Sequence, residues 1–462
     1  MEVRFFFLQM NYNEVFLFLL IIFGVLLLNE FFKVFSLNFI LSLIGLFSLG
    51  SIIINSNLWH LNFLSNELWR IGLLILILVS FIVIHNMNAT ENFEVSILNI
   101  MVLLASSLII LSDHLIVIYL GLELQTFSLF ILIAKNKISI KSSEASLKYF
   151  ILGALSSGLL LLGITFIFSV NLSLNIKDIY LAQVFENYNI KIASVLICLA
   201  LFFKLALFPL HFWISDVYEG SSWDTIVTLS TLPKISVLSI IIQLLSYTEF
   251  FLLCSLGSII IGSLGALNQT KFKRLLAYSG ISHMGFILLG ITMISSQGYE
   301  ASFFYVLVYV INMLGLLLLI EKTFFSRNHY LIELSGHNLS NKIVALSWGI
   351  LFLSIAGIPP LSGFINKWLI LITILDNNYV LSSIIVVLFS AIAAGYYLRI
   401  VKISYFQKNS SYLNWEYILT PKRDISSFKE YLIGVSIYTS LFLIINPAIL
   451  FSSLFILFNY SF

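Results

Sequence analysis

The sequence predicts an all-α polytopic membrane protein with about 14 transmembrane helices. Composition is the first reason. Of 462 residues, 60% are apolar and only 10% are charged, and the mean hydropathy is +1.03. A soluble domain carries about 25% charged residues, so this chain lacks the polar groups to cover a globular surface. A soluble enzyme, a disordered chain, collagen and a coiled coil are all excluded. The second reason is the length of the apolar runs, and the third is a lopsided distribution of lysine and arginine between the loops. The net charge of +2 predicts no nucleic-acid partner.

A hydrocarbon core of about 30 Å needs about 20 apolar residues per helix. Runs of that length occur at 14–35, 37–55, 68–87, 95–112, 114–134, 144–169, 190–208, 222–247, 249–268, 274–294, 300–321, 343–374, 380–403 and 431–455. They are numbered here as spans 1–14. Each is continuous rather than alternating, which argues for helices and against a β-barrel. Little chain is left over for any extramembrane domain. Residues 1–13 are too polar and irregular to read as a cleavable secretory signal or a transit peptide. Cys198 and Cys254 each lie inside an apolar run, without metal or disulfide spacing, and are expected to be buried free thiols.

Orientation follows from the loops. With the loop carrying Lys135, Lys137 and Lys141 on the negative side, fifteen of the 24 basic residues fall on that side and four on the other. The four are Arg4, Arg70, Lys177 and Lys191, and the remaining five lie within spans. Both termini are then on the positive side. The abundance of Phe, Ile, Asn and Tyr with little Ala accompanies AT-rich organellar genomes, which points to synthesis inside an organelle.

The charges within spans need reasons, because an ionisable group at mid-membrane costs about 2.5–3.5 kcal/mol on insertion scales. Glu123 lies at the centre of span 5, Lys204 deep in span 7, Lys234 at the middle of span 8 and Lys367 in the second half of span 12. One acid–base pair can simply hold two helices together. One carboxylate with three lysines at similar depth has an excess of positive charge that such a role does not use, and that a proton path does. Low dielectric weakens a lysine's hold on its proton, and a nearby carboxylate restores it. A mobile carboxylate such as Glu123 would therefore load and unload a lysine electrostatically.

Prolines mark the same places. Four of the six, Pro209, Pro233, Pro359 and Pro360, lie in or beside the charged spans. Proline inside a helix breaks the hydrogen-bond ladder, and a membrane tolerates the break where protein or water satisfies the freed groups. Lys204 precedes Pro209, whereas Lys367 follows Pro360, five spans later and in reverse order. That is the expectation for an inverted repeat with broken helices, although two independent kinks would read alike. His283 lies within span 10 with Tyr278, Ser279 and Ser282 around it in sequence, and its ordinary titration range suits a relay. His60, His329 and His337 read as loop residues, and His85 and His114 as helix ends. Lys148 follows Glu144 by one turn, which fits a simple ion pair. Arg399 fits a side chain reaching for the membrane surface. Asp113 sits at the positive-side turn between spans 4 and 5.

Several motifs carry a family resemblance. Gly121-Leu-Glu-Leu-Gln, Ser146-Leu-Lys-Tyr, Phe203-Lys-Leu-Ala-Leu-Phe-Pro-Leu-His, Thr231-Leu-Pro-Lys, Arg274-Leu-Leu-Ala-Tyr-Ser-Gly-Ile-Ser-His and Ala356-Gly-Ile-Pro-Pro-Leu-Ser-Gly-Phe-Ile-Asn-Lys resemble, in order, the subunit 2 (bacterial subunit N) family of respiratory complex I, NADH:ubiquinone oxidoreductase. The likeness runs from about residue 95 to 405. It implies two inverted five-helix repeats, spans 4–8 and 9–13, with discontinuous helices at spans 7 and 12. It implies three domains: residues 1–94 with three N-terminal helices, a proton-translocating core at 95–405, and a loop with a C-terminal helix at 406–462. It implies a proton path through the modulating pair Glu123 and Lys204, then Lys234 and His283, with Lys367 at the exit side, and a family position for Lys148.

No redox centre is expected in this chain. NADH, FMN, Fe–S clusters and ubiquinone would belong to partner subunits. Other membrane-arm subunits, including antiporter-like neighbours, and lipids such as cardiolipin are the implied partners. The implied location is the mitochondrial inner membrane, ahead of a bacterial plasma membrane. Two other readings compete with proton pumping: a subunit of a multi-subunit cation/proton antiporter, which shares the fold, and a non-pumping structural subunit of the arm.

Overall fold

A computed structural model describes residues 68–87, 93–136, 139–171, 188–244, 248–323, 330–335, 342–407 and 427–445, with a few positions between 173 and 178. The expected spans 1 and 2 and the loop histidines His60, His329 and His337 lie outside these residues. The described residues are helical, with two isolated bridges, His114–Asn175 and Lys271–Tyr330. The helices are α1 Leu68–Met87, α2 Phe93–Leu111, α3 Leu115–Ile133, α4 Ile140–Asn171, α5 Tyr188–Leu205, α6 Trp213–Gly220 and α7 Trp223–Gln243. They continue as α8 Thr248–Leu267, α9 Phe272–Thr292, α10 Ser296–Thr323, α11 Lys342–Ala356, α12 Ser362–Asp376, α13 Val380–Phe406 and α14 Ser427–Ile445. Eight of them are long and apolar enough to cross a membrane.

The helix interiors are apolar on nearly all sides, so depth in the bundle, rather than an amphipathic stripe, decides what each one faces. The apolar segment of α7 is completely buried and that of α9 nearly so, whereas α4 and α13 keep most of theirs exposed. The centre of the bundle is therefore α7, α9 and α10. Lipid tails are as apolar as leucine, so helices in lipid associate through close packing and polar contacts rather than through burial of oily surface. The α8–α9 seam shows this: a Cβ placed on Gly262 would lie 2.8 Å from the Tyr278 carbonyl. Buried serines satisfy themselves within their own helices. Ser230, Ser239, Ser258 and Ser279 each donate to a carbonyl three residues back.

Two long apolar runs are broken in the same way. At the end of α5, Leu207 N–H donates to the Phe202 carbonyl at 2.9 Å and Ala206 N–H to the Phe203 carbonyl at 3.0 Å, with Ala206 at φ 57°. At the end of α11, Ile358 N–H donates to the Leu353 carbonyl at 3.2 Å and Gly357 N–H to the Ser354 carbonyl at 3.0 Å, with Gly357 at φ 77°. Both are Schellman ends, in which a left-handed residue turns the chain and closes two orphan carbonyls. Glycine takes that conformation freely, and alanine takes it at some cost. Three residues after each left-handed residue stands a cis proline, Pro209 in one case and Pro360 in the other. Span 12, read as one run in the sequence, is therefore two helices, α11 and α12. Span 7 ends at Leu205 and is followed by the separate short helix α6.

The return of α12 against α11 leaves no room at Gly363, where a Cβ would sit 1.6 Å from the Ser354 carbonyl oxygen. The contact is with backbone and cannot be relieved by a rotamer change. Gly349, in the same α11 run, has nothing within 4 Å of its Cβ direction. We expect Gly363→Ala to lower the amount of assembled protein several-fold on native gels, while Gly349→Ala assembles as wild type.

Candidate functional site: a buried line of lysines and tyrosines

Lys204, Lys234, His283 and Lys367 are 9%, 3%, 5% and 8% exposed, although they come from four separate helices. Lys204 is the next-to-last residue of α5, directly before the break. Its ammonium lies 5.9 Å from the centre of the Phe203 ring. The neighbouring Phe203 carbonyl accepts the Trp213 indole N–H at 3.0 Å, which ties α6 back to the end of α5. Glu123, half-buried on α3, accepts the Thr126 hydroxyl at 3.3 Å. Glu123 and Lys204 interact electrostatically, but no direct ion pair joins them among the described residues.

Lys234 follows Pro233 inside α7. Proline has no N–H to offer, so the ladder is interrupted at the residue before the lysine. The Lys234 ammonium donates to the Tyr309 hydroxyl at 3.1 Å. Two residues further along α7, the Ser236 hydroxyl accepts from the Gln125 amide at 3.3 Å. Gln125 lies two residues after Glu123, so this contact links the Glu123 helix to the Lys234 helix. Lys367, six residues into α12, reaches back across the second break and donates to the Ala356 carbonyl at 2.6 Å. A cation at a helix C-terminus is favoured by the aligned peptide dipoles. Its ammonium also lies 5.6 Å from the centre of the Phe286 ring on α9.

His283 departs from the sequence expectation. Ser279 and Ser282 donate to carbonyls of their own helix, at 2.9 and 2.8 Å, and the ring nitrogens meet two tyrosines from other helices. Nδ1 lies 2.8 Å from the Tyr305 hydroxyl and Nε2 lies 2.9 Å from the Tyr397 hydroxyl. Residues three and four apart on a helix share a face, whereas partners this distant in sequence have no local signal. The one trace was the four-residue spacing of Tyr305 and Tyr309 on α10.

Lys148 lies apart from this line. It binds Glu144 and also Asp216 of α6, both at 2.7 Å. Asp216 in turn faces Arg274 at 3.3 Å, and Glu219 is held by Lys271 and Arg274 at 2.5 Å each and by Lys141 at 3.1 Å. These residues form one cationic face that clamps α6 to the starts of α4 and α9, on the side to which the loop charges assign it. Burial alone would raise the Glu219 carboxyl, but hydrogen bonds from Lys271 and Lys141 and the attraction of Arg274 hold it down at about 2. Asp216 and Glu219 were not singled out in the sequence, where three residues of spacing in a short loop carry no depth signal. On the opposite face Arg70 donates to Asp113 at 2.5 Å, and His114 caps α3 by accepting the Ile116 N–H. Arg399 donates to the Leu267 carbonyl at the end of α8. Cys198 and Cys254 are buried free thiols. Among the described residues no cluster of three His, Cys, Asp or Glu side chains gathers to hold a metal.

A family profile for the transmembrane region of NADH:quinone oxidoreductase and Mrp antiporter proteins matches residues 112–393, more than half of the chain. The chain belongs to this family. Within it, NADH-ubiquinone oxidoreductase chain 2 of Metridium senile is 41% identical over 362 residues, covering 77% of this chain and 94% of that one. NADH-quinone oxidoreductase subunit N of Pelagibacter ubique is 35% identical over 332 residues, covering 68% of this chain and 70% of that one. Respiratory complex I from Thermus thermophilus contains a chain of the same fold, with a TM-score of 0.77 over 94% of this chain and 99% of that chain at 23% identity. The Mrp complex from Dietzia shares the fold with a TM-score of 0.75, at 21% identity, over 85% of this chain and 83% of that one. The protein is thus a multi-pass membrane protein homologous to chain 2 and subunit N, an antiporter-like subunit of the complex I membrane arm.

The cationic face generates a pH-linked expectation. The Glu219 carboxyl titrates near 2 against an ordinary 4.5. Its contribution is therefore complete above about pH 4.5 and is lost only as the pH falls toward 2. Glu219→Gln should lower the thermal midpoint of the assembled complex by the equivalent of about 1–2 kcal/mol. The difference from wild type should stay constant from pH 6 to 8 in a thermal-shift assay.

Proposed function

We propose that this chain is a proton-translocating core subunit of the membrane arm of a respiratory NADH:quinone oxidoreductase, with fourteen spans arranged as two inverted five-helix repeats. The observation that carries the reading is the set of partners of the buried lysines. Among the described residues Lys234 meets a tyrosine hydroxyl and Lys367 a backbone carbonyl, and neither meets a carboxylate. A lysine whose purpose is to glue helices is expected beside an acid that neutralises it. A lysine solvated only by neutral oxygens can exist with or without its proton at moderate cost, which suits a carrier.

In this reading Glu123 acts on Lys204 across a short gap. Bringing the carboxylate closer favours the ammonium, and withdrawing it favours release. The proton then moves through Lys234 and His283 toward Lys367, while Lys148 anchors the α6 segment through Asp216. The three-domain division follows: residues 1–94, the path-bearing core at 95–405, and 406–462. The chain binds no redox cofactor in this account. NADH, FMN, Fe–S clusters and ubiquinone belong to partner subunits. Driving one charge against 100 mV takes about 2.3 kcal/mol, a scale that an ion-pair rearrangement in low dielectric reaches. The inner mitochondrial membrane is the proposed location, supported by chain 2 of Metridium senile and of Marchantia polymorpha among its relatives.

The fold shared with the Mrp complex supports a second reading, a subunit of a cation/proton antiporter. Co-purification separates the two. The first reading expects NADH oxidation with the complex, and the second expects sodium efflux without it. For the first, Lys204→Ala in an assembled complex should lower coupled NADH oxidation and proton pumping by about tenfold, a modest share of what proton-transfer groups supply. Reconstituted vesicles with a pH-sensitive dye measure it, and full pumping would refute the role given to Lys204.

A further inference from the structure

The surroundings of His283 are more specific than burial requires. Both ring nitrogens are engaged, each by a phenol hydroxyl, from helices on different sides of the ring. Tyr305 comes from α10 and Tyr397 from α13, at 2.8 and 2.9 Å. Lys234 meets Tyr309, one turn from Tyr305 on α10, at 3.1 Å. The Tyr309 ring packs against the imidazole with centroids 5.5 Å apart. Beyond the histidine, Phe286 stacks on Tyr305 with centroids 6.0 Å apart, and the Lys367 ammonium lies over Phe286. The tyrosines thus run between two lysines that both act electrostatically on the histidine. Room for the arrangement is kept by Gly280, where a Cβ would stand 3.2 Å from the Lys234 ammonium nitrogen and 3.7 Å from the Tyr309 hydroxyl.

We propose that Tyr305 and Tyr397 are relay residues that deliver protons to, and remove them from, the two ring nitrogens of His283. The inference rests on the proton path proposed above. Neutral imidazole has one donor nitrogen and one acceptor, and a phenol hydroxyl is both donor and acceptor. A hydroxyl on each nitrogen therefore satisfies either tautomer. In the transfer, Tyr305 gives its hydroxyl proton to Nδ1 and receives one from the Lys234 side, where the ammonium is the source and the Tyr309 hydroxyl its first acceptor. Nε2 gives its proton to Tyr397, which passes its own toward the Lys367 amine or water. Each oxygen loses one proton as it gains one, the ring stays neutral before and after, and no oxidant or reductant takes part. The ring ends as the opposite tautomer, and a flip of the imidazole together with rotation of the two hydroxyls restores a donor facing Tyr397 and an acceptor facing Tyr305 before the next proton arrives. A histidine held only for packing needs one hydrogen bond to each side from any donor or acceptor, and the reversible hydroxyl is what a relay adds.

The test uses the whole assembled complex, with Tyr305→Phe, Tyr397→Phe and His283→Gln variants. Each is compared with wild type for protons pumped per NADH oxidised and for the rate in H2O and D2O. Either phenylalanine keeps the ring and removes the hydroxyl. The expected result is a fall in coupled rate of about tenfold and a changed solvent isotope effect in both tyrosine variants, at wild-type assembly. If His283→Gln also falls while both tyrosine variants pump with wild-type rate and isotope effect, the relay is overturned and the wider path stands. If His283→Gln itself pumps normally, the path through His283 fails, and the relay fails with it. Should a phenylalanine variant not assemble, a ring-fluorinated tyrosine at position 397 keeps both shape and hydroxyl while making the phenol more acidic. A shifted pH profile of pumping then supports the relay, and a profile identical to wild type overturns it.

Discussion

Holding a lysine side chain away from water is expensive, and the rest of this structure is arranged around meeting that cost. An ammonium in an apolar bundle must be solvated by fixed groups, and in a helical membrane protein the backbone is normally closed to that use because every carbonyl is already bonded within its helix. Among the described residues two apolar runs break off into a left-handed turn in the same way. Both breaks end a helix with the same pair of hydrogen bonds and the same left-handed turn. One places Lys204 at a helix end, and the other gives Lys367 the Ala356 carbonyl. Where the helix runs on past its proline, at Lys234, a tyrosine hydroxyl takes the part of the carbonyl. Among the described residues Lys234 and Lys367 are thus accommodated by neutral oxygens rather than by a carboxylate.

The charged face and the buried line divide the work between rigidity and response. Asp216 and Glu219 hold α6 against the starts of α4 and α9 with several short ion pairs. That is the kind of network in which neighbouring pairs support one another, unlike an isolated surface pair. The Trp213 indole fastens the other end of α6 to the break. Lys204 therefore lies at the end of α5 with a fixed segment behind it, while Glu123 makes no direct ion pair with it among the described residues and accepts from Thr126 instead. The proposed electrostatic loading of Lys204 by Glu123 needs this arrangement, a fixed lysine and a carboxylate not locked onto it.

Much of this was legible in the sequence because charge and proline are rare in it. A lysine in an apolar run is conspicuous, and Pro209, Pro233 and Pro360 stand within seven residues of Lys204, Lys234 and Lys367. Family motifs then implied a path through these residues. The structure also kept spans 3–6 and 8–11 within a few residues of their expected bounds, since the length of an apolar run is set by membrane thickness. What stayed hidden is pairing between distant segments. The chain has 21 tyrosines, and nothing local separates Tyr305 or Tyr397 from those that merely pack. Asp216 lies 68 residues from Lys148, so the visible partner of that lysine was the nearer Glu144. The first break ends at Ala206 rather than at a glycine, and a left-handed alanine has no sequence signature.

The proposed proton transfer needs a continuous hydrogen-bonded connection from the Lys234 ammonium, through the tyrosines and His283, to the Lys367 side chain. A density map of the whole membrane complex, fine enough to place ordered water, tests this most directly. Water or side-chain oxygens are expected within hydrogen-bond distance at every step between Tyr309 and Lys367. A dry apolar gap between His283 and Lys367, present in every state of the working enzyme, would contradict it.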